Sequence, residues 1–308
     1  MRQSDAGLPA GVTVFERGWL SANNILFTGP EGSALVDSGY CTHAVQTVGL
    51  VQRALGDRSL DALINTHLHS DHCGGNAALQ ATFPRVKTLV PPGLADAVRR
   101  WDPVALTYEP TGQSCPRFRI EGVIAPGAQL LLGGNQWQVH AAPGHDPHSV
   151  ILFEPKTRVL ISADALWEKG FGIVFPELEG EEGFDDVAAT FDVIEALAPL
   201  TIIPGHGAIF SDVAAALQVA RKRLSAYRGD PSRHAAHAAK VLLKFRLLEV
   251  QAMSMTELEE WAGRTPYFGL VFARYFGDKQ LVAWLQSLAA NLVKSGAAEI
   301  VDGRIVNA

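Results

Sequence analysis

Thr66-His67-Leu68-His69-Ser70-Asp71-His72 gathers three imidazoles and a carboxylate within seven residues. The apolar run at residues 62–65 just before it reads as a buried strand, and Gly74-Gly75-Asn76 just after it reads as a tight exit into a helix. On extended backbone, residues two apart point the same way, so His67 and His69 can share one ion. Asp71 and His72 can turn to a second. Ionisable groups packed this closely are costly unless something compensates them, and mixed imidazole and carboxylate donors suit a divalent metal.

Further candidate donors lie downstream, each after a strand-like run: Pro143-Gly144-His145, Ser162-Ala163-Asp164 and Pro204-Gly205-His206-Gly207. Glycines beside the donors let backbone bend close to an ion. Taken singly, His145 or His206 reads as a surface or core histidine, and Asp164 as a helix cap. In this order and setting they complete a metal site. His148 reads equally as support behind a ligand or as loop packing. Cys73 adjoins His72, but adjacency in sequence is not ligation; Met253 and Met255 read as packing residues.

Between Val12 and about residue 208, short strands joined by glycine turns alternate with a few helices. Strands are expected at residues 25–27, 33–37, 86–90, 136–141, 150–153, 158–163 and 200–203, with helices at 42–55 and 185–197. Beyond Asp212 helices dominate, at 213–227, 232–251, 256–262 and 279–294. Thr256 with Glu259 fits a capping box. Leu281, Leu285, Leu288 and Leu292 share one helical face, and Asp302-Gly303 joins two short strands. Gly229-Asp230-Pro231 marks the expected boundary between residues 1–229 and 230–308, and helices closed by a hairpin resemble a winged-helix module.

The 308-residue chain is 47% hydrophobic and 19% charged, which suits one or two globular domains with a real core. Its net charge of −6 gives no global attraction to nucleic acid or anionic membranes. The first ten residues lack an apolar signal core, no run is long enough to span a membrane, and three cysteines make no disulfide framework. A cytoplasmic location is the expectation. Residues 221–250 carry eight basic side chains against Asp230 and Glu249. A charge run on a helix is usually a solvated face, although it could also contact phosphates.

The order and wording of the ligand pieces resemble the metallo-β-lactamase-fold superfamily, over roughly residues 12–210. The resemblance implies an α+β fold, an αββα sandwich carrying metals at one sheet edge, followed here by the mainly helical, winged-helix-like C-terminal part. It implies that His67, His69 and His145 hold one metal, that Asp71, His72 and His206 hold another, and that Asp164 bridges both. Asp37, in Asp37-Ser38-Gly39, resembles the family's structural support for the metal loop. Asp164, where several β-lactamases of the fold carry Cys or Ser, argues against antibiotic hydrolysis. His69, where flavodiiron relatives carry Glu, favours hydrolysis over electron transfer.

The set is similar to that of glyoxalase II-like thioesterases, lactonases and phosphodiesterase or ribonuclease members, and the tail resembles the β-lactamase-like protein 2 group. The expected activity is hydrolysis of a small-molecule ester, thioester or lactone by a metal-bridged hydroxide, with Asp71 orienting the nucleophile. Two divalent ions are implied; zinc is the first expectation, and iron or manganese also fits. A phosphodiesterase or endoribonuclease acting on RNA is the alternative, and a non-catalytic ligand-binding winged-helix regulator a further one. The aromatic start of residues 166–182 (Trp167, Phe171, Phe175) reads as a pocket wall or as a surface loop with an acidic rim. The C-terminal helices could cap that pocket or form a homodimer face.

Overall fold

The computed structural model describes residues 7–308, so the first six residues, part of the stretch read above for a targeting signal, lie outside it. Six strands form the first sheet in chain order: β1 (Val12–Phe15), β2 (Asn24–Gly29), β3 (Gly32–Val36), β4 (Ala62–Ile64), β5 (Lys87–Val90) and β6 (Gly122–Val123). The first three pair antiparallel, with Gly29 opposite Gly32 at the hairpin turn, and β3 to β6 run parallel. The second sheet holds β7 (Gln129–Leu132), β8 (Asn135–Ala141), β9 (Val150–Glu154), β10 (Val159–Ala163) and β11 (Thr201–Pro204), in the order β11-β10-β9-β8-β7.

Alternation along the strands explains the layering. Ile25, Phe27, Val36 and Ile64 point inward and meet Trp137, Val139, Leu152 and Ile161 of the other sheet. The intervening Leu26, Leu35 and Leu63 point outward and are covered by Val51 and Leu55 of helix α1 (Ala44–Leu55). Helix α2 (Ser70–Cys73) carries part of the dense donor segment, and Leu79 of α3 (Asn76–Thr82) completes the cover. Helices α4 (Ala95–Arg100) and α5 (Tyr108–Thr111) fill the connection from β5 to β6.

Helix α6 (Phe175–Glu179) precedes α7 (Phe184–Leu197) and α8 (Val213–Gly229). Val187, Phe191, Ile194 and Leu217 of the latter two cover Ile151, Phe153, Leu160 and Ile202 on the outer face of the second sheet. The result is the expected four-layer αββα sandwich.

The C-terminal part runs α9 (Pro231–Val250), β12 (Ala252–Met253), α10 (Met255–Arg264), α11 (Pro266–Tyr275), α12 (Leu281–Lys294), β13 (Ala298–Val301) and β14 (Arg304–Asn307). Its three strands pair in the order β12-β14-β13. Asp302 and Gly303 both take positive φ, 48° and 73°, as the two-residue hairpin turn requires. Its core takes in Ile173 and Leu178 from the segment between β10 and α7, so the two parts of the chain interlock.

The C-terminal part departs from the sequence expectations at three points. The capping box is made by Ser254 and Glu257, two residues earlier than Thr256 and Glu259, because β12 releases the chain at Met253. Helix α11 forms where no helix is expected from the sequence; Pro266 at its first position starts it without needing a backbone donor. Leu285, Leu288 and Leu292 are buried, but Leu281 is 40% exposed at the start of α12, where the helix leaves the core. Among the described residues no helix is long and apolar enough to cross a membrane.

Candidate metal centre

Strand ends deliver the donors. Asp37 follows β3 with φ of 57°, and this left-handed turn aims its carboxylate at the loop after β4. Its Oδ1 accepts the Thr66 N–H at 2.9 Å, and its Oδ2 accepts the Thr66 hydroxyl at 2.8 Å and His72 Nδ1–H at 2.7 Å. One buried carboxylate thereby clamps both ends of the donor segment. Because His72 Nδ1 donates to Asp37, its Nε2 is the nitrogen turned inward, buried and without a partner.

The other donors come from the second sheet. His145 donates from Nδ1 to the Ile173 carbonyl at 2.5 Å, so its Nε2 faces inward, 2.8 Å from His69 Nδ1. Asp164 follows β10, and His206 follows β11. A Cβ at Gly205 would stand 2.2 Å from Asp164 Oδ1, so glycine is what lets these two loops meet.

The side chains assemble in two groups, His67 with His69 and His145, and Asp71 with His72, Asp164 and His206, the donor atoms of each within 4.8 Å of one another. Asp164 faces both. Its Oδ2 lies 3.4 Å from His145 Nε2 and 3.8 Å from His206 Nε2, and its Oδ1 lies 3.4 Å from His72 Nε2. Asp71 Oδ2 meets His206 Nε2 at 3.0 Å. The structure thus brings together all seven donors read from the sequence.

The electrostatics fit a cation. Burial first, then the neighbouring rings, holds His67 well below the usual histidine value, and burial with His145 lowers His69 to about 4. Both are therefore neutral near pH 7 with a lone pair to offer. Burial would also depress His72, but Asp164, Asp37 and Asp71 outweigh it and raise that ring well above its usual value. Burial would raise Asp164 and Asp71, yet the imidazoles, His72 foremost, hold both low. Two ionised carboxylates around one retained proton, with His67 Nε2 and His72 Nε2 buried and unpartnered, fit a divalent ion that would displace that proton.

Of the two readings of His148, support behind a ligand or loop packing, the position of its ring matches loop packing. Asp146 Oδ1 accepts the His148 N–H at 2.6 Å, and this tight turn throws the His148 ring outward, against Gly93. Buried Asp146 instead turns Oδ2 toward His69 Nε2, at 3.9 Å. Cys73 packs, with its Sγ against the Leu68 and His69 carbonyls and the Tyr108 hydroxyl. Met253 is buried in the C-terminal core and Met255 packs against it.

A cavity of about 520 Å³ opens above His69, Asp71, His145, Asp164 and His206. Trp167, Phe171 and Phe175 line it, and Trp19 stacks on His206 at 5.3 Å between ring centroids. Val241, Phe245 and Leu248 of α9 form a further wall. The acidic residues after Phe175 serve the fold: Glu177 caps α7 through the Gly183 and Phe184 N–H groups, and Glu179 accepts the Tyr267 hydroxyl. Trp19, Asp146 and the Ile173 carbonyl were not foreseen; only Asp146, set between His145 and His148, had a sequence cue.

The sequence model of the metallo-beta-lactamase superfamily matches residues 17–206. Among curated proteins, the chain is 31% identical over 119 residues to a hydroxyacylglutathione hydrolase of Synechococcus sp. (strain JA-3-3Ab), covering 38% of each chain. It is 30% identical over 176 residues to one of Acidiphilium cryptum (strain JF-5), covering 56% of this chain and 59% of the relative. The chain thus spans about four- to six-tenths of the length of these relatives.

Among solved structures, a metallo-beta-lactamase family protein from Thermus thermophilus aligns over 97% of this chain and 99% of its own, with a TM-score of 0.55 and 17% identity. A second, TTHA1623 in a di-iron-bound form, covers 68% of this chain and 98% of its own, with a TM-score of 0.52 and 23% identity. At such identities the likeness is one of fold.

Proposed function

The chain belongs to the metallo-beta-lactamase superfamily, and from that premise we propose that it is a two-metal hydrolase of a small-molecule acyl compound, a thioester, ester or lactone. The observation that carries this reading is Asp164, whose two carboxylate oxygens face both donor groups on the floor of a walled cavity. The hydroxyacylglutathione hydrolases among its relatives, named for cleaving a thioester, support the substrate class. The tail's order of helix, strand, helices and hairpin, with β14 between β12 and β13, supports a winged-helix-like reading of residues 230–308.

His67, His69 and His145 would hold one ion, Asp71, His72 and His206 the other, and Asp164 both. Two divalent ions when bound supply Lewis acidity and lower the pKa of water to about 7. Zinc is favoured by the imidazole-rich donors, while the di-iron form of one structural neighbour keeps iron in view. Asp71 engages His206 and His72 through Oδ2, which leaves Oδ1 to accept a hydrogen bond from the attacking water and orient it. Trp19, Trp167 and Phe175 shield the floor from bulk water.

The test is metal analysis of the reconstituted protein beside a panel of thioesters, esters, lactones, phosphodiesters and single-stranded RNA. Two ions per chain and turnover confined to acyl compounds are expected. One ion at saturation, or cleavage of phosphodiesters alone, would refute the proposal.

A further inference from the structure

Arg223 is a cation the acyl-cleaving chemistry leaves without a role. Of the basic residues that crowd α8 and α9, Arg221 pairs with Asp192 and Glu195, Arg228 with Asp185, Arg233 with Asp230 and Arg246 with Glu249. Lys244 lines the cavity, but its Nζ donates to the Ala297 and Ala308 carbonyls and to Asn307 Oδ1. Arg223 also lines the cavity and is half-buried, yet its guanidinium has neither a hydrogen bond nor an ion pair among the described residues. Its guanidinium lies over Gly170, where a Cβ would stand 2.2 Å from Nη1.

The surroundings of Arg223 favour an anion. His237 shares the cavity lining, and burial, then the charges of Arg223 and Lys240, lowers its pKa to about 4. It is therefore a neutral ring near pH 7 that can donate one hydrogen bond without adding charge. Glu168 and Lys169, both exposed, offset one another in the lining. Phe171, Ile173, Phe175, Val241 and Phe245 make the remaining walls largely apolar. A half-buried guanidinium with no side-chain acceptor in such walls is left free to receive an anionic oxygen, and charge-assisted hydrogen bonds favour one.

We propose that the substrate is an ester or thioester joined through an apolar segment to an anionic group, a carboxylate or phosphate, which Arg223 receives. This inference rests on the acyl-hydrolase reading and adds the chemistry of the substrate's far end. A planar guanidinium matches either anion with two parallel hydrogen bonds, and the hydrocarbon segment lies along the aromatic and aliphatic walls.

Matched thioesters with six-carbon chains ending in methyl, carboxylate or phosphonate provide the test, with the anion on the acyl side in one series and on the thiol side in another. In the metal-loaded protein, kcat/KM is expected to favour an anionic chain by about tenfold or more, the size of one charge-assisted contact. Arg223→Gln should remove that preference, Arg223→Lys should keep part of it, and the exposed neighbour Lys222→Ala should keep all of it. Which anion is preferred identifies carboxylate or phosphate. Equal rates for neutral and anionic chains in the wild type, or a preference surviving in Arg223→Gln, would overturn the proposal.

If no thioester, ester or lactone is cleaved, the acyl-hydrolase reading itself fails. Calorimetry with hexanedioate and octyl phosphate then decides the role of Arg223 separately. Binding about tenfold weaker in Arg223→Gln supports it, and equal binding overturns it.

Discussion

A single carboxylate between two sets of imidazoles makes Asp164 the residue on which the centre depends. Asp164→Asn is expected to lose most metal and hydrolysis together, measured by elemental analysis and turnover; full activity with both ions retained would refute its shared role. Gly205→Ala should do nearly as much harm, because the added Cβ would displace Asp164 Oδ1. Asp146→Asn should weaken metal binding about 10–100-fold in a chelator competition, as loss of support behind a ligand does. His148→Ala should leave it unchanged, since that ring points away. The seven donors were legible in the sequence because only a few residue types bind metals, and here they recur at strand ends. Trp19 was not, since nothing in its neighbourhood hints at stacking on His206, and Ile173 acts through a carbonyl that any residue possesses.

Elements were read well where burial imposes a period and less well where capping or tertiary contact decides. Eight sandwich strands follow apolar runs expected from the sequence, whereas β1, β6 and β7 match no expected strand, and β12 is two residues long and exists because Ala252 and Met253 pair with Val306 and Ile305. Ser254→Ala is therefore expected to cost about 1 kcal/mol in chemical denaturation, while Thr256→Ala costs little. Helix α9 is tied to the sandwich by His234, whose Nε2 accepts the Val174 N–H at 3.0 Å. Burial, then His237, lowers its pKa from 6.5 to about 3, so the unfolded chain takes up a proton that the folded one refuses. Its contribution is whole above 6.5 and is lost as pH falls toward about 3. The urea midpoint should drop across that window, and His234→Phe should make the drop shallower; an unchanged slope would count against it.

Across the whole molecule, the interlock matters more than the expected division at residues 229 and 230. We propose the boundary there from the Asp230 cap and Pro231 that start α9, although the core of the C-terminal part encloses Ile173 and Leu178 from the preceding one. Ending the chain at Gly229 would remove the residues that cover Ile173 and Leu178 and free the Ile173 carbonyl that orients His145. The truncated protein should therefore bind metal more weakly as well as lose a pocket wall, which equilibrium dialysis and size measurement would reveal; undiminished metal affinity would show the parts to be independent. The same interlock constrains ancestry. A lineage that exchanged its tail for another would first have to rebuild packing around Ile173 and Leu178, whereas a cavity-wall residue such as Phe245, outside that packing, can change without disturbing it.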